Sequence, residues 1–249
     1  MDFEAYLHRI NFQEELVPSL RTLASLQKQH LINIPFENLD IHYGRSIILN
    51  KEKIYNKIVS EGRGGFCYEL NGLFNELLTW IGFKTKIVSA RVFNGNDFNA
   101  EFDHLVIHVQ LNELNYLADV GFGDFAVTPL LLHPNAIQHD ESGKFRIKQF
   151  GQEFIVYKYI DNAKKPVYKF ENIPRSFDDF SAMCHYHQTS PESHFTQQKL
   201  ISIATDHGRI TLIDDKLKIT QDSISTEFGI KDKNEFKDKL WKYFKIKIS

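Results

Sequence analysis

Cys67 is the residue whose surroundings point most directly to chemistry. It follows the glycine-rich segment GRGGF at 62–66, and apolar residues three and four apart predict a helix over 66–81. A helix N-terminus offers unpaired N–H groups and the positive end of the helix dipole, and both favour a thiolate. We therefore expect a lowered pKa for Cys67 and N–H groups that could hold an oxyanion. The alternative is that Cys67 is a small apolar side chain buried at a helix start.

A nucleophilic thiol needs a base, commonly a histidine, and a third group that orients the base. Of the 11 histidines, His104 and His108 lie four apart on one predicted strand and so share a face. Asp119 lies in the apolar segment YLADV at 116–120, where an unpaired carboxylate would be costly. If 112–115 form a tight turn, the register pairs His108 with Asp119, although a bulge or longer turn would change this. The residues alone leave both histidines as candidate bases.

The elements that must position these residues follow from the spacing of apolar side chains. The first third of the chain predicts helices over 19–31, 51–59 and 66–81, with Gly82 as a stop signal. The middle third changes to the alternation of strands, which we expect at 84–93, 104–111, 116–120, 145–150, 153–160 and 166–170. Short strands at close intervals are typical of an antiparallel barrel or sandwich. A helix over 175–187, strands within 199–220 and a last helix near 231–245 complete the prediction.

Composition excludes several classes of protein. A hydrophobic content of 42%, a charged content of 25% and a net charge of −2 are ordinary for a soluble globular chain and give no reason to expect nucleic acid as a partner. Cys67 and Cys184 have no paired or metal-binding spacing, so we expect neither a disulfide nor a metal, and we interpret Cys184 as structural. The chain shows no signal-peptide pattern and no apolar run of membrane-spanning length. We expect a cytoplasmic protein, a monomer or weak homodimer, with no membrane partner.

Four segments together resemble one known family. RGGFCYELNGLF at 63–74, IPFENLDI at 34–41, YLADVGFG at 116–123 and YHQTSPESHF at 186–195 resemble motifs of the arylamine N-acetyltransferases, in the same order. By this resemblance Cys67 matches the nucleophile, His104 the base and Asp119 the orienting carboxylate. The resemblance favours His104 over the histidine that the simple hairpin register pairs with Asp119.

The resemblance also implies an α+β fold with a cysteine-protease-like catalytic core. We expect a helical bundle over 1–83 carrying the nucleophile, an antiparallel β-barrel over 84–190 carrying His104 and Asp119, and an α/β lid over 191–249. It implies acetyl-CoA as acyl donor and an arylamine, hydrazine or arylhydroxylamine as acceptor, joined by a ping-pong reaction through acetyl-Cys67.

Aromatic side chains near these motifs are candidates for the acceptor site, because an aromatic amine needs apolar walls. They are Phe36, Phe122 and Phe125. The turn after the helix at 175–187 carries hydroxyls that could bind coenzyme A, or that form an ordinary capping turn. The candidates there are Tyr186, Thr189, Ser190 and Ser193, whereas His185 and His187 are expected at the surface without a role.

Two other classes of function remain compatible with the sequence. The same three residues could serve a thiol hydrolase, a transglutaminase-like enzyme or an amide synthase. A binding module that kept the pocket without the chemistry is disfavoured, because Cys67, His104 and Asp119 are all present.

Overall fold

The computed structural model describes residues 1–222 and 224–248 and begins with helices. They are α1 (Phe3–Arg9), α2 (Leu20–Asn33), α3 (Leu39–His42), α4 (Lys51–Tyr55), continued by a π-helical turn (Asn56–Ser60), and α5 (Cys67–Ile81), with the short strand β1 (Phe36–Glu37) between α2 and α3. Helix α2 begins after Pro18 because the Ser19 side chain accepts the Thr22 N–H. Helix α5 ends at Gly82, whose φ of 105° is the left-handed conformation that glycine adopts without strain.

The middle of the chain forms an eight-stranded antiparallel sheet that curves into a nearly closed barrel. Its strands are β2 (Lys84–Val92), β3 (His104–Leu111), β4 (Leu114–Ala118), β5 (Leu130–Leu131), β6 (Ile137–Asp140), β7 (Gly143–Phe150), β8 (Glu153–Ile160) and β9 (Ala163–Glu171), in the order β5-β4-β3-β2-β9-β8-β7-β6. Strand β3 is buried on both faces. Leu105 and Ile107 pack in the cluster that contains α5, whereas Val106 packs in the core of the barrel.

The last part of the chain returns to helices and then forms a second sheet. A 3₁₀ turn (Phe177–Phe180), α6 (Ser181–Thr189) and α7 (His194–Gln197) lead into β10 (Leu200–Thr205), β11 (Gly208–Ile213), β12 (Lys216–Gln221), β13 (Ile224–Gly229) and α8 (Lys233–Phe244). The second sheet has the order β1-β10-β11-β12-β13, so the N-terminal strand β1 forms its edge. We call these five strands the lid sheet.

The predicted α+β architecture, with helices first and an antiparallel barrel in the middle, is confirmed. None of the helices in residues 1–222 and 224–248 is long and apolar enough to cross a membrane. The short strands β1, β5 and β6 and the edge strand β13 had no clear alternation in the sequence. These strands form through their hydrogen bonds with neighbouring strands of the two sheets.

The hairpin register predicted between β3 and β4 is wrong. Leu111 pairs with Leu114, so the turn has two residues, Asn112 and Glu113, instead of four. Asn112 takes a φ of 55°, which suits the turn that joins tightly paired strands. This shift places His108 opposite Leu117 and leaves Asp119 beyond the end of the ladder.

Candidate active site

Cys67 is the first residue of α5, at the end of a loop that glycine alone can form. A Cβ on Gly64 would lie 2.0 Å from the carbonyl oxygen of Pro35, so no larger residue fits there without moving the backbone. The Glu37 N–H donates to the Gly65 carbonyl at 2.9 Å, which joins the loop to β1. Glu69 then accepts the Phe66 N–H at 3.1 Å and fixes the helix start. Cys67 is only 3% exposed.

His104 and Asp119 form a buried hydrogen-bonded pair. The Nε2 atom of His104 lies 2.8 Å from Oδ2 of Asp119, and both side chains are at most 3% exposed. The face of β3 that carries His104 points towards the barrel, where the ring packs edge-on against Phe122 and beside Tyr168. Because Nε2 is directed at the carboxylate, Nδ1 is the ring nitrogen left for proton transfer.

Asp119 has more than one partner, as a buried carboxylate requires. Its Oδ1 accepts from the side-chain amide of Asn71 at 2.8 Å and from the Gly121 N–H at 2.9 Å. Its Oδ2 also accepts from the Tyr168 hydroxyl at 3.3 Å. Asn71 lies one turn after Cys67 on α5, so one helix carries both the thiol and a group that holds the aspartate.

The expectation of a lowered pKa for Cys67 is wrong for the resting protein. Burial raises the pKa of the Cys67 thiol well above its usual value, and the negative charges of Asp103 and Asp119 add to this effect. The Tyr68 backbone N–H at the helix start lowers the pKa of the thiol, but this effect is smaller than that of burial. The helix terminus therefore does not ionise the thiol unaided, and a base must accept its proton.

Cys67 and His104 line one cavity of about 330 Å³. Within residues 1–222 and 224–248 no hydrogen bond joins the Cys67 sulfur to His104. Such contacts are often loose before a substrate binds, so shared access to the cavity is the informative observation.

His108, the competing candidate base, is placed apart from the carboxylate. Its Nε2 is buried without a hydrogen-bond partner among the described residues. Burial, with a contribution from Lys86, lowers its pKa to about 4. The structure therefore pairs Asp119 with His104 and leaves His108 as a neutral histidine on the same strand.

The three predicted aromatic residues divide between the cavity and the barrel core. Phe36 and Phe122 line the cavity together with Phe195. Phe125 does not line it. Phe125 is 4% exposed. Its ring packs behind Phe122, with the two ring centroids 5.9 Å apart, and it also packs against the ring of Phe145.

The four predicted coenzyme A residues do not line the cavity that contains Cys67. Thr189 donates to the His185 carbonyl, Ser190 accepts the Glu192 N–H, and Tyr186 lies on the outside of α6. Ser193 caps α7 and lies 3.2 Å from Nδ1 of His187. These contacts are those of an ordinary capping turn, which was the alternative to coenzyme A binding in the interpretation of this segment.

Several residues of the site had no assigned role in the sequence. Asn71 stood in the cysteine motif, four residues after Cys67, and this spacing was a usable signal. His187, expected at the surface, is 3% exposed, and its Nε2 lies 3.3 Å from the carboxylate of Asp103. Asp103 precedes His104 and lines the cavity.

Cys184 is buried in α6, where burial raises the pKa of its thiol to about 12, as suits a structural cysteine.

A larger cavity of about 800 Å³ lies between the barrel loops and the lid sheet. It shares Asp124, Arg209 and Thr211 with the cavity around Cys67. Hydroxyl and charged side chains dominate its lid-side wall. They include Lys218, Thr220 and Ser225, together with the carboxylates Asp206 and Asp222.

The helical N-terminus and the barrel-like sheet place the chain in the class of α+β proteins, and one of its cavities is lined by a buried cysteine and by a histidine that is hydrogen-bonded to an aspartate. Comparison with known proteins narrows this class. The N-acetyltransferase family model matches residues 19–249. An arylamine N-acetyltransferase of Mus musculus is 32% identical over 275 aligned positions, covering 100% of this chain and 95% of the relative.

Solved structures agree with the sequence comparison. The M. smegmatis arylamine N-acetyltransferase superposes with a TM-score of 0.92 at 29% identity, covering 99% of this chain and 92% of that one. The Mycobacterium marinum enzyme in complex with CoA has a TM-score of 0.91 at 28% identity, covering 98% and 93%. The chain belongs to the arylamine N-acetyltransferase family and is an acetyl-transferring enzyme of that family.

Proposed function

We propose that the protein transfers an acetyl group from acetyl-CoA to an arylamine, hydrazine or arylhydroxylamine through an acetyl-Cys67 intermediate. The observation that carries the proposal is a cavity lined by both Cys67 and His104, with His104 hydrogen-bonded to Asp119. The reacting groups thus come from α5, β3 and the loop after β4.

In the first half-reaction, His104 accepts the thiol proton as Cys67 attacks the thioester carbonyl of acetyl-CoA. Backbone N–H groups at the start of α5 stabilise the oxyanion, and the protonated His104 returns the proton to the departing coenzyme A sulfur. The high pKa of the buried thiol makes this base essential. The carboxylate of Asp119 stabilises the imidazolium that forms.

In the second half-reaction the amine attacks acetyl-Cys67. His104 removes a proton from the amine nitrogen and gives it to the Cys67 sulfur as the carbon–sulfur bond breaks. The apolar rings of Phe36, Phe122 and Phe195 form walls that suit an aromatic acceptor and keep water from the thioester.

The larger cavity is our candidate for the nucleotide part of coenzyme A. The smaller cavity is near the lower end of the roughly 300–1,000 Å³ range of small-molecule sites. The larger one opens from it through shared walls and carries Lys218, Thr220 and Ser225. Lysine and hydroxyl groups suit phosphate oxygens. The M. marinum relative solved with CoA supports coenzyme A as a ligand of this fold.

Intact mass spectrometry after mixing protein with acetyl-CoA tests the mechanism. We expect the wild type to gain one acetyl group and lose it when an arylamine is added. Cys67→Ala should gain none, and His104→Ala should gain it far more slowly. Cys184→Ala is the matched control, because it removes the other buried thiol, and it should behave as wild type. Acetylation of Cys67→Ala at the wild-type rate would refute the proposal.

The same experiment separates transfer from hydrolysis. An acetyl-enzyme that decays equally fast with and without amine would indicate a thiol hydrolase. Release of ammonia or peptide fragments without any coenzyme A would indicate a transglutaminase-like enzyme or a protease.

A further inference from the structure

A primary amine that attacks acetyl-Cys67 carries two N–H groups, and His104 can accept a proton from only one of them. The other N–H stays on the nitrogen and becomes the N–H of the product amide. While positive charge develops on the nitrogen, this N–H is a strong donor, and leaving it without an acceptor away from water is costly. The second half-reaction therefore calls for a further acceptor close to Cys67.

Asp103 offers such an acceptor beside the base. Two carboxylates line the cavity that contains Cys67, those of Asp103 and Asp124. The side chain of Asp124 is 72% exposed, and its Oδ1 lies 2.7 Å from Nζ of Lys158. Asp103 directly precedes His104 in the chain, and its side chain is only 10% exposed. Asp103 is thus the buried carboxylate of the cavity wall.

The backbone around Asp103 is tied to the start of α5. The hydroxyl of Tyr68, the residue after the nucleophile, donates to the carbonyl oxygens of Phe102 at 2.7 Å and of Asp103 at 3.2 Å. Phe102 takes a φ of 67°, which is unusual for a bulky side chain, and its N–H donates to Oγ of Ser89 at 2.7 Å. These contacts hold Asp103 in a fixed position relative to Cys67.

The carboxylate of Asp103 is held on both oxygens and can still accept further hydrogen bonds. Oδ1 lies 3.3 Å from Nε2 of His187, and Oδ2 accepts from the side-chain amide of Asn99 at 3.0 Å. A carboxylate has about four acceptor positions, so two contacts do not fill them. Burial raises the pKa of Asp103, but His187 and Asn99 bring it below its usual value, so the group is negative at neutral pH.

We propose that Asp103 is a further catalytic residue, which accepts a hydrogen bond from the second N–H of the amine during attack on acetyl-Cys67. This inference rests on the proposed function of the cavity. The amine nitrogen bonds to the carbonyl carbon, one proton passes through His104 to the sulfur as the carbon–sulfur bond breaks, and the other stays on the amide. Asp103 takes no proton. Its hydrogen bond orients the nitrogen and stabilises the positive charge that develops there.

Two acceptors with different numbers of hydrogens test the proposal. Acetyl-enzyme prepared with para-nitrophenyl acetate is isolated and mixed with aniline or with coenzyme A, and loss of the acetyl group is followed by intact mass spectrometry. Asp103→Asn should slow transfer to aniline about 10-fold, because an amide oxygen accepts a weaker hydrogen bond than a carboxylate. Transfer to coenzyme A should not be slowed, because a thiol has a single hydrogen, which His104 accepts.

Asp97→Asn is the matched control, because it neutralises an exposed carboxylate in the same loop, and it should keep both wild-type rates. Equal slowing with aniline and with coenzyme A in Asp103→Asn would overturn the proposal, since it would show a purely structural role. An unchanged rate with aniline would overturn it as well. Failure of the proposed function has a different signature, because the wild type would then form no acetyl-Cys67.

Discussion

Cys67 lies in surroundings that oppose its ionisation. Burial is the largest cause of its raised pKa, and the charges of Asp103 and Asp119 follow. Asp103 lines the cavity, and its Oδ2 accepts from Asn99 at 3.0 Å. Although its own burial works against ionisation, contacts with His187 and Asn99 hold the pKa of Asp103 below its usual value. Asp103 is therefore negative at neutral pH.

Replacing Asp103 with asparagine should lower the pKa of Cys67. A negative charge raises the proton affinity of nearby groups, so its removal makes the thiolate form at lower pH. We expect the rate of Cys67 alkylation by iodoacetamide to reach half its maximum at a lower pH than in the wild type. Asp97→Asn, in the exposed part of the same loop, should leave the profile in place. A shift to higher pH would contradict this electrostatic role.

Helix α5 and the loop after β4 meet backbone to backbone. A Cβ on Gly121 would lie 2.8 Å from Cα of Cys67 and 2.8 Å from Nδ2 of Asn71. Both neighbours are fixed, Cys67 by the helix and Asn71 by its hydrogen bond to Asp119. The absence of a side chain at Gly121 thus sets the distance between the thiol and the aspartate loop.

Gly121→Ala should therefore separate these two elements. We expect a loss of about 1–3 kcal/mol in the free energy of unfolding, as for other overpacked sites, together with slower acetylation of Cys67. Thermal denaturation and the intact-mass assay measure the two effects. Gly123→Ala is the control for stability, because nothing lies within 4 Å of its added Cβ. Equal melting temperatures for the two variants would show that the close approach does not matter.

The loop before α5 is supported by a buried cluster of charges. Arg63 binds Glu37 at 2.6 Å and Asp40 at 2.9 Å, and Lys57 joins Asp40 and Glu69 at 2.8 and 2.9 Å. Glu69 in turn accepts the Phe66 N–H next to the nucleophile. This cluster connects β1, α3, the π-helical turn and α5.

Arg63→Ala should destabilise the protein by about 3–5 kcal/mol, because it leaves two buried carboxylates without their guanidinium partner. Urea denaturation gives the free energy of unfolding. The contrasting variant is Arg21→Ala, which breaks an exposed pair with Glu14 and should leave the free energy of unfolding nearly unchanged. A similar loss of unfolding free energy in the two variants would mean that the burial of the cluster contributes nothing to stability.

At the scale of the whole molecule, the lid sheet is connected to the N-terminal part of the chain. Strand β1 forms its edge, and Asn38 donates to the carbonyl oxygens of Phe195 and Gln198. Leu39, in α3, is fully buried in the cluster formed by the lid sheet and α8. The division at residues 83 and 190 stays a prediction, and these contacts suggest that the parts unfold together.

Leu39→Ala tests this coupling. It should lower the free energy of unfolding by about 2–5 kcal/mol, with one transition seen equally by far-UV and near-UV circular dichroism. Leu114→Ala, at a side chain that is 49% exposed, should change little. An early separate transition in the Leu39 variant would show that the lid unfolds independently.

Much of this protein could be predicted from local pattern. The apolar spacing after Cys67 predicted α5, and Gly82 marked its end within a residue. Alternation predicted β2, β3 and β8 closely. The order of four motifs predicted the family and selected His104. The helices and strands could be predicted because the spacing of apolar residues along the chain reflects which face of each element is buried.

Only the tertiary structure decided which distant groups meet. A two-residue turn at Asn112 shifted the hairpin register and placed Asp119 beyond the ladder, where it reaches His104. Burial reversed the expected direction of the pKa shift of Cys67, although the predicted position at the helix start was correct. Arg209 faces the cavity because the lid sheet packs its apolar face against α8. Desolvation and contacts between segments far apart in the chain depend on packing, and no local spacing encodes them.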